Sequence, residues 1–503
     1  MFFVPFPKRR TAARDGSLGP GAPADGHPRR AARGSNVGWC VVAAMLLVAA
    51  AHLAWRGPLS VRGHWNLCDF ASPWASARLW LTGQNPYDNA RLWDTWIASR
   101  GAFQTDHDLW LALNAPAACA ALGPLAALPA GAASIAWLVL CAASVVGILR
   151  CALSLAGVPG RSLTAWLVIS AALASAPVQT ILAVGQLSLP VIALCFVAIQ
   201  LARGGRDVAA GLALGCAVAV KPQLAALLLA YYVLRGQWRL VLPAVLVGVG
   251  VTLLAIVPME LRGIPWWSDW SRNLALAIAP GGPNDATVTG PWRSQMIDLR
   301  AWLFALLDRR EVVGAVGAVV SMLMIAAYAT LVTRARTHES ARRSDELLPL
   351  AALMALTLLP VYHKVYDATV LVLALAWAMR SLRDPRVRGV AVVMLAALSA
   401  FLIPFDLLPL LMQRTRALDG VAQTWLWRAV IYPHHALATL AVSACAVYAL
   451  WRSQAIPAPA TAMAAASAAD LDASLSNWSR RRADLLLTRR SADDGVLPDP
   501  PLS

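Results

Sequence analysis

Few side chains in this sequence can do chemistry, and they stand at particular places along it. Asp69 lies in an aromatic-rich stretch, NLCDFASPWASARLWLTGQNPYD (residues 66–88), which Asp88 closes. Gly185-Gln186 opens one apolar run and Lys221-Pro222-Gln223 interrupts another. Tyr362-His363-Lys364, followed by Tyr366-Asp367, separates two short apolar runs. A carboxylate beside apolar surroundings can take a proton from a hydroxyl, or it can begin a helix as an N-cap. Both readings stand for Asp69, whereas Asp88 in Asn-Pro-Tyr-Asp reads as a turn or cap residue. The chain has only three lysines, Lys8, Lys221 and Lys364. A lysine is a point-charge ligand for a phosphate, or it snorkels at the end of an apolar run. His363, Gln186 and Gln223 can hydrogen-bond an anion or a hydroxyl, or satisfy themselves locally.

The elements that must position these groups follow from composition. Of 503 residues, 58% are apolar and 14% charged, against about 25% charged in soluble chains. Mean hydropathy is +0.58. These values exclude a soluble globular enzyme, a disordered regulator and a disulfide-stapled secreted domain. They predict an all-α membrane protein, a multi-span helical bundle. At roughly 20 residues per crossing, the apolar runs predict about 12 transmembrane helices with amphipathic helices in the external loops. The runs are 109–128, 130–150, 162–180, 186–202, 207–221, 222–234, 238–258, 311–333, 346–361, 366–380, 388–405 and 428–451, after a first span over Val37–Trp55.

The net charge of +16 comes from 43 basic against 27 acidic residues. The basic residues cluster in short loops between apolar runs, which is the positive-inside pattern of cytoplasmic loops and not a nucleic-acid surface. Arg203/Arg206, Arg235/Arg239, Arg334/Arg336/Arg342/Arg343 and Arg380/Arg383/Arg386/Arg388 are therefore expected in the cytoplasm. Loop 56–108, Gln186, Lys221, loop 259–310 and Tyr362–Asp367 then share the opposite face. This assignment needs 109–128, with Pro116, Pro124 and Pro129, to dip in without crossing, and it leaves both termini cytoplasmic. Residues 1–36 read as a disordered basic arm, 37–451 as the membrane domain and 452–503 as a disordered tail. Trp65, Trp74, Trp80, Trp93, Trp96 and Trp110 predict helices lying in the headgroup region.

The eight cysteines show no CxxC and no metal-ligand spacing, so neither an internal disulfide nor a structural metal is expected. A divalent ion at a bound phosphate stays open. Gly248-Val249-Gly250 reads as helix packing. His434-His435 reads as interfacial, and Arg293 with Gln295 as an undecided site for an acceptor. Trp266, Trp267 and Trp270 fit an interface, with stacking on sugar faces as the alternative.

The stretch DF…ARLWLTGQNPYD, the Gly-Gln pair, and GLALGCAVAVKPQ with its apolar run ending in Arg235-Gly236-Gln237-Trp238-Arg239 resemble glycosyltransferase family 87, over roughly residues 65–380. The resemblance implies a fold of the GT-C superfamily, an acidic residue of the first external loop as catalytic base, and a polyprenyl-phosphate sugar donor. Members include bacterial mannosyltransferases, and the Arg- and Ala-heavy composition also suggests a bacterial gene rich in G and C. One departure stands out: the family's later motif usually reads like Trp-x-His-His, whereas this chain has Tyr362-His363-Lys364.

On that resemblance, Asp69 is the base for the incoming hydroxyl. Lys221, Lys364 and His363 are candidates to meet the departing phosphate, with a sugar hydroxyl as the other partner for His363. Gln186 and Gln223 are candidate donors to sugar or phosphate. The reaction expected is inverting transfer of a hexose, mannose by resemblance, to an external lipid or glycan acceptor at the periplasmic face of a bacterial inner membrane. No cofactor is called for, and the partners are the donor, the acceptor and membrane lipids. The alternative is a transporter or lipid flippase of the cell envelope. Such proteins usually carry paired broken helices, and the sequence shows a single clear break, at Lys221-Pro222.

Overall fold

The apolar runs fold as helices because a buried backbone in lipid must bond to itself. The computed structural model describes residues 28–55, 67–99, 111–307, 309–337, 346–414 and 419–455. In chain order the helices are α1 (Pro28–Trp55), α2 (Cys68–Leu81), α3 (Asn89–Ala98), α4 (Pro116–Ala126), α5 (Ala130–Ala156), α6 (Leu163–Ala174) and α7 (Ala176–Val184). They continue with α8 (Ser188–Arg203), α9 (Asp207–Val220), α10 (Pro222–Leu234), α11 (Trp238–Leu261), α12 (Trp266–Ile278), α13 (Leu299–Leu303) and α14 (Arg310–Thr337). The last are α15 (Leu347–Thr357), α16 (Val372–Ser381), α17 (Arg388–Ser399), α18 (Leu407–Arg414), α19 (Asp419–Ala422) and α20 (His434–Ala455), with a 3-10 turn over Val365–Leu371 before α16. Among the described residues no β-strand forms; Met296 and Lys364 pair in an isolated antiparallel bridge.

The expected dozen crossings do not emerge from the helix lengths. Among the described residues five helices are long and apolar enough to cross a membrane, or six if α6 and α7, bent by 51°, form one span. The physical reason is that several apolar runs are broken or stop early. Lys221, with φ −146° and ψ 76°, ends α9, and Pro222 starts α10. Helices α8, α9, α10 and α15 have 16, 14, 13 and 11 residues, or about 17 to 24 Å at 1.5 Å per residue, short of the roughly 30 Å hydrocarbon core. Helix α4, at 11 residues, is likewise too short for a full crossing.

The short helices form the centre. Helix α15 is buried along nearly its whole length and packs against α10, α14, α16 and α20. Helices α9 and α11 meet at backbone distance: a Cβ added to Gly215 would sit 2.5 Å from the Ala244 carbonyl, and Gly211 faces the Leu240 carbonyl just as tightly. This Gly-xxx-Gly face is the small-residue packing of membrane helices. Gly248 joins it opposite Gly215, while Gly250 meets nothing within 4 Å, so the expectation for the Gly248–Gly250 pair holds only for its first member.

The central helices have distinct ends. At one, Glu346 lies 3.5 Å from Arg203 and 3.8 Å from Arg235, gathering the basic loops after α8 and α10. Gln186, Lys221 and His363 stand at the opposite end of the same helices.

Helices α2 and α3 pack into the bundle through their tryptophans. Trp74 and Trp96 are buried, ring edge to ring face at 5.5 Å. The indole of Trp74 donates to Leu125 O at 3.1 Å and that of Trp80 to Ala255 O at 2.9 Å. Indole N–H groups need acceptors once buried, and carbonyls of α4 and α11 supply them, so the Trp-rich segment is clamped onto the bundle. Trp65 and Trp110 lie outside the described residues. Helix α12 is tied to the turn before α3, with Asn85 donating to Asp269 at 2.5 Å and Asn89 to Asn273 at 2.7 Å. Helix α1 begins at Pro28, upstream of the expected Val37. The rest of the expected arm (1–27) and most of the expected tail (456–503) lie outside the described residues.

Candidate active site

Asp69 occupies the first turn of α2 without capping it. Leu67 holds the cap position, and no side chain makes a cap hydrogen bond there. Asp88, by contrast, caps α3 by accepting from Arg91 N at 3.3 Å, and it pairs with the Arg91 side chain. The residues around Asp69 fix its place. Phe70 stacks on Trp137 with ring centroids 4.9 Å apart, and the Trp137 indole donates to Gly185 O at 2.8 Å. Gly185 has φ +69°, and a Cβ there would lie 2.5 Å from Leu67 Cδ2 and 3.1 Å from Phe70 Cβ. Only glycine meets both conditions at no steric cost. The α7–α8 turn is thereby pressed against the start of α2.

This contact delivers Gln186 to Asp69. Gln186 Nε2 donates to Asp69 Oδ2 at 2.8 Å and to the Tyr366 hydroxyl at 3.0 Å, while its Oε1 accepts from Leu187 N at 2.8 Å. Both amide hydrogens are therefore engaged within the protein. Among the described residues, the one hydrogen bond to Asp69 Oδ1 comes from the Cys68 thiol, at 3.6 Å. Burial and the neighbouring Asp69 carboxylate push that thiol well above its ordinary pKa, so it stays protonated and donates.

Beneath lies a second, buried layer centred on Asp367. Its Oδ1 accepts from Lys221 Nζ at 2.8 Å and from Ser188 Oγ at 2.5 Å, and its Oδ2 faces His363 Nδ1 at 2.9 Å. Lys221 also contacts Ser188 directly. Lys221, Ser188, His363 and Asp367 are all buried. A lone buried charge is costly, whereas a paired and hydrogen-bonded one is sustained. The Lys221-Pro222 break thus places an ammonium where a carboxylate and a hydroxyl from other elements complete it. His363 Nε2 is buried with no hydrogen-bond partner among the described residues. The 293–298 segment joins from the side, with Ile297 N donating to His363 O at 3.0 Å.

Lys364 differs from Lys221. It is half-buried and has no ion pair among the described residues. Burial lowers its ammonium pKa, and the Asp69 carboxylate and Cys68 pull it back up. Around Asp69, then, the half-buried groups are Cys68, Gln186, Tyr362 and Lys364, over a closed floor of Asp367, Lys221, Ser188 and His363.

The structure thus brings together Asp69, Gln186, Lys221, His363 and Lys364. Gln223 is half-buried in the first turn of α10, and its side chain makes no hydrogen bond to a described residue. His435 is not interfacial: it is buried, stacked on Phe401 at 5.1 Å, with Nε2 facing Ile403 O at 3.1 Å. Arg293 is buried as well, bonded to Ala301 O at 3.1 Å and lying over Tyr432. Trp266, Trp267 and Trp270 cluster on one another, with centroids 5.6 to 6.4 Å apart. Sequence reasoning gave no role to Asp367 or Ser188. The i,i+4 spacing of His363 and Asp367 was a usable sign for the former, and nothing marked the latter. Among the described residues no three His, Cys, Asp or Glu side chains converge as metal ligands.

The model of glycosyltransferase family 87 matches residues 112–360 of the chain. That stretch carries Gln186, Ser188 and Lys221 and ends just before His363; Asp69 precedes it. No curated protein and no solved structure matches. The Gly-Gln turn and the Lys-Pro-Gln break, which supply Gln186 and Lys221 to the site, fall within the matched stretch and within an apolar helical bundle: the chain belongs to glycosyltransferase family 87 and is a membrane glycosyltransferase.

Proposed function

We propose that the protein transfers a hexose, mannose by family resemblance, from a polyprenyl-phosphate donor to an extracytoplasmic lipid or glycan acceptor, with inversion. The observation that carries this reading is a carboxylate, Asp69, that caps no helix and is linked through Gln186 and Tyr366 to a cation-bearing segment. Asp69 takes the acceptor's hydroxyl proton, the acceptor oxygen bonds the anomeric carbon, and the bond from that carbon to the phosphate oxygen breaks. The electron pair leaves on the phosphate, where a positioned cation stabilises it. Lys364, half-buried and without an ion pair among the described residues, supports that role better than Lys221, whose charge Asp367 already meets. Inversion is favoured because Asp367, the neighbouring carboxylate, is buried with both oxygens occupied and so is not free to attack the sugar.

The short central helices support a recessed site within reach of a lipid-borne phosphate. The basic loops at the opposite end favour an external site in a bacterial inner membrane, with cytoplasmic termini. The transporter reading gains something from the bend between α6 and α7, a second broken element beside Lys221-Pro222; the family membership weighs against it. Incubating membranes that carry the protein with radiolabelled polyprenyl-phosphate mannose and a membrane lipid extract tests the proposal. Labelled product should form and vanish for Asp69→Asn at equal protein abundance. Normal transfer by Asp69→Asn would remove Asp69 as the base.

A further inference from the structure

We propose that Gln186 is a positioning residue for the base, holding Asp69 by Oδ2 so that Oδ1 alone receives the acceptor's proton. The inference rests on the reading of Asp69 as base and replaces the expectation that Gln186 touches sugar or phosphate. Its ground is the hydrogen-bond inventory of one amide. A glutamine offers two N–H donors and a carbonyl acceptor. Here the donors go to Asp69 Oδ2 and Tyr366, and the carbonyl accepts from Leu187 N. The Leu187 bond decides which end of the amide is nitrogen, since a backbone N–H can only face its oxygen. The Tyr366 bond fixes the plane, and Tyr366 is itself buried.

The other groups around Asp69 do not do this work. From its own helix comes Cys68, a neutral thiol on Oδ1 at 3.6 Å. On the 362–367 segment, the Asp69 carboxylate favours the protonated forms of Tyr362, Lys364 and Tyr366, and among the described residues none of the three hydrogen-bonds to it directly. Behind them, Asp367 is closed off by Lys221, Ser188 and His363. Among the described residues, Gln186 is therefore the neutral amide donor that locks one carboxylate oxygen. In the transfer step the acceptor O–H bond breaks, its proton passes to Oδ1, the new bond to the anomeric carbon forms, and the phosphate departs with the electron pair. Gln186 exchanges nothing in this step.

The test uses the full-length protein in membranes, with whichever radiolabelled polyprenyl-phosphate hexose the wild type consumes and a membrane lipid extract as acceptor. Initial rates are measured across pH for the wild type, Gln186→Glu and Gln186→Leu. Gln186→Glu keeps the shape and places a second carboxyl against Asp69, and two carboxyls sharing a site cannot both ionise readily. The acid limb of kcat/KM should move up by about one pH unit or more. Gln186→Leu should lower kcat about 10- to 100-fold, with the donor KM unchanged within about twofold. An unmoved acid limb in Gln186→Glu overturns the proposal. So does a raised donor KM with kcat intact, which returns Gln186 to substrate binding. Should Gln186→Leu not accumulate, the isosteric Gln186→Glu profile decides alone. Asp69→Asn, assayed in parallel, keeps the failures apart: activity surviving there removes the base itself, whereas loss there with unmoved Gln186 profiles removes only the positioning role.

Discussion

Lys221 and Asp367, far apart in sequence, form a buried ion pair at 2.8 Å, and Ser188 completes it. The pair joins the broken α9–α10 junction to the turn that carries His363 and Lys364. Both partners are buried.

Removing one partner strands the other charge. Lys221→Met or Asp367→Leu alone should cost about 3–5 kcal/mol, seen as a marked fall in melting temperature in detergent. The double variant Lys221→Met/Asp367→Leu should recover much of that loss, since apolar replacements of buried pairs are often tolerated. Additive losses in the double variant would show that the two residues are not coupled.

Lys364 offers a pH signature. Its ammonium pKa is lowered by burial and only partly restored by Asp69 and Cys68. Donor affinity that needs this charge is present below the lowered pKa and lost as pH rises through it. The loss should therefore begin below the usual lysine value of about 10.4, read as a rise in donor KM. Lys364→Arg should move that rise to higher pH, because guanidinium keeps its proton. Lys364→Ala should raise the donor KM at every pH.

Gly185 tests the local geometry. Its φ of +69° and its closeness to Leu67 and Phe70 leave no room for a side chain. Gly185→Ala should cost about 1–3 kcal/mol and reduce transfer, because the Gln186–Asp69 contact moves with the turn. A variant with wild-type melting and activity would show that the turn relaxes freely.

Asp88 is the control carboxylate. It caps α3 and pairs with Arg91. Asp88→Ala should cost about 0.5–2 kcal/mol while leaving the transfer rate of the folded protein within about twofold, in contrast to Asp69→Asn.

Apolar periodicity and a low charge density determined the helical membrane architecture without help from the structure, because each apolar run must satisfy its own backbone in lipid. The spacing of basic clusters likewise placed Asp69, Gln186, Lys221 and His363 at one end of the bundle, since alternate helix ends share a side. The sequence did not yield the number of full-length helices. Pro222, Ser175 and Pro177 break apolar runs at points whose cost depends on what covers the exposed backbone. Nor did it distinguish the two lysines, identical in type and both at the margins of apolar runs. Tertiary structure alone decided that Asp367 and Ser188 close around Lys221 while Lys364 remains beside Asp69. It also decided that the Gln186 amide is spent on Asp69 and Tyr366. Hydrogen-bond partners separated by more than a hundred residues are fixed by how the helices pack, and packing leaves no local trace in the chain.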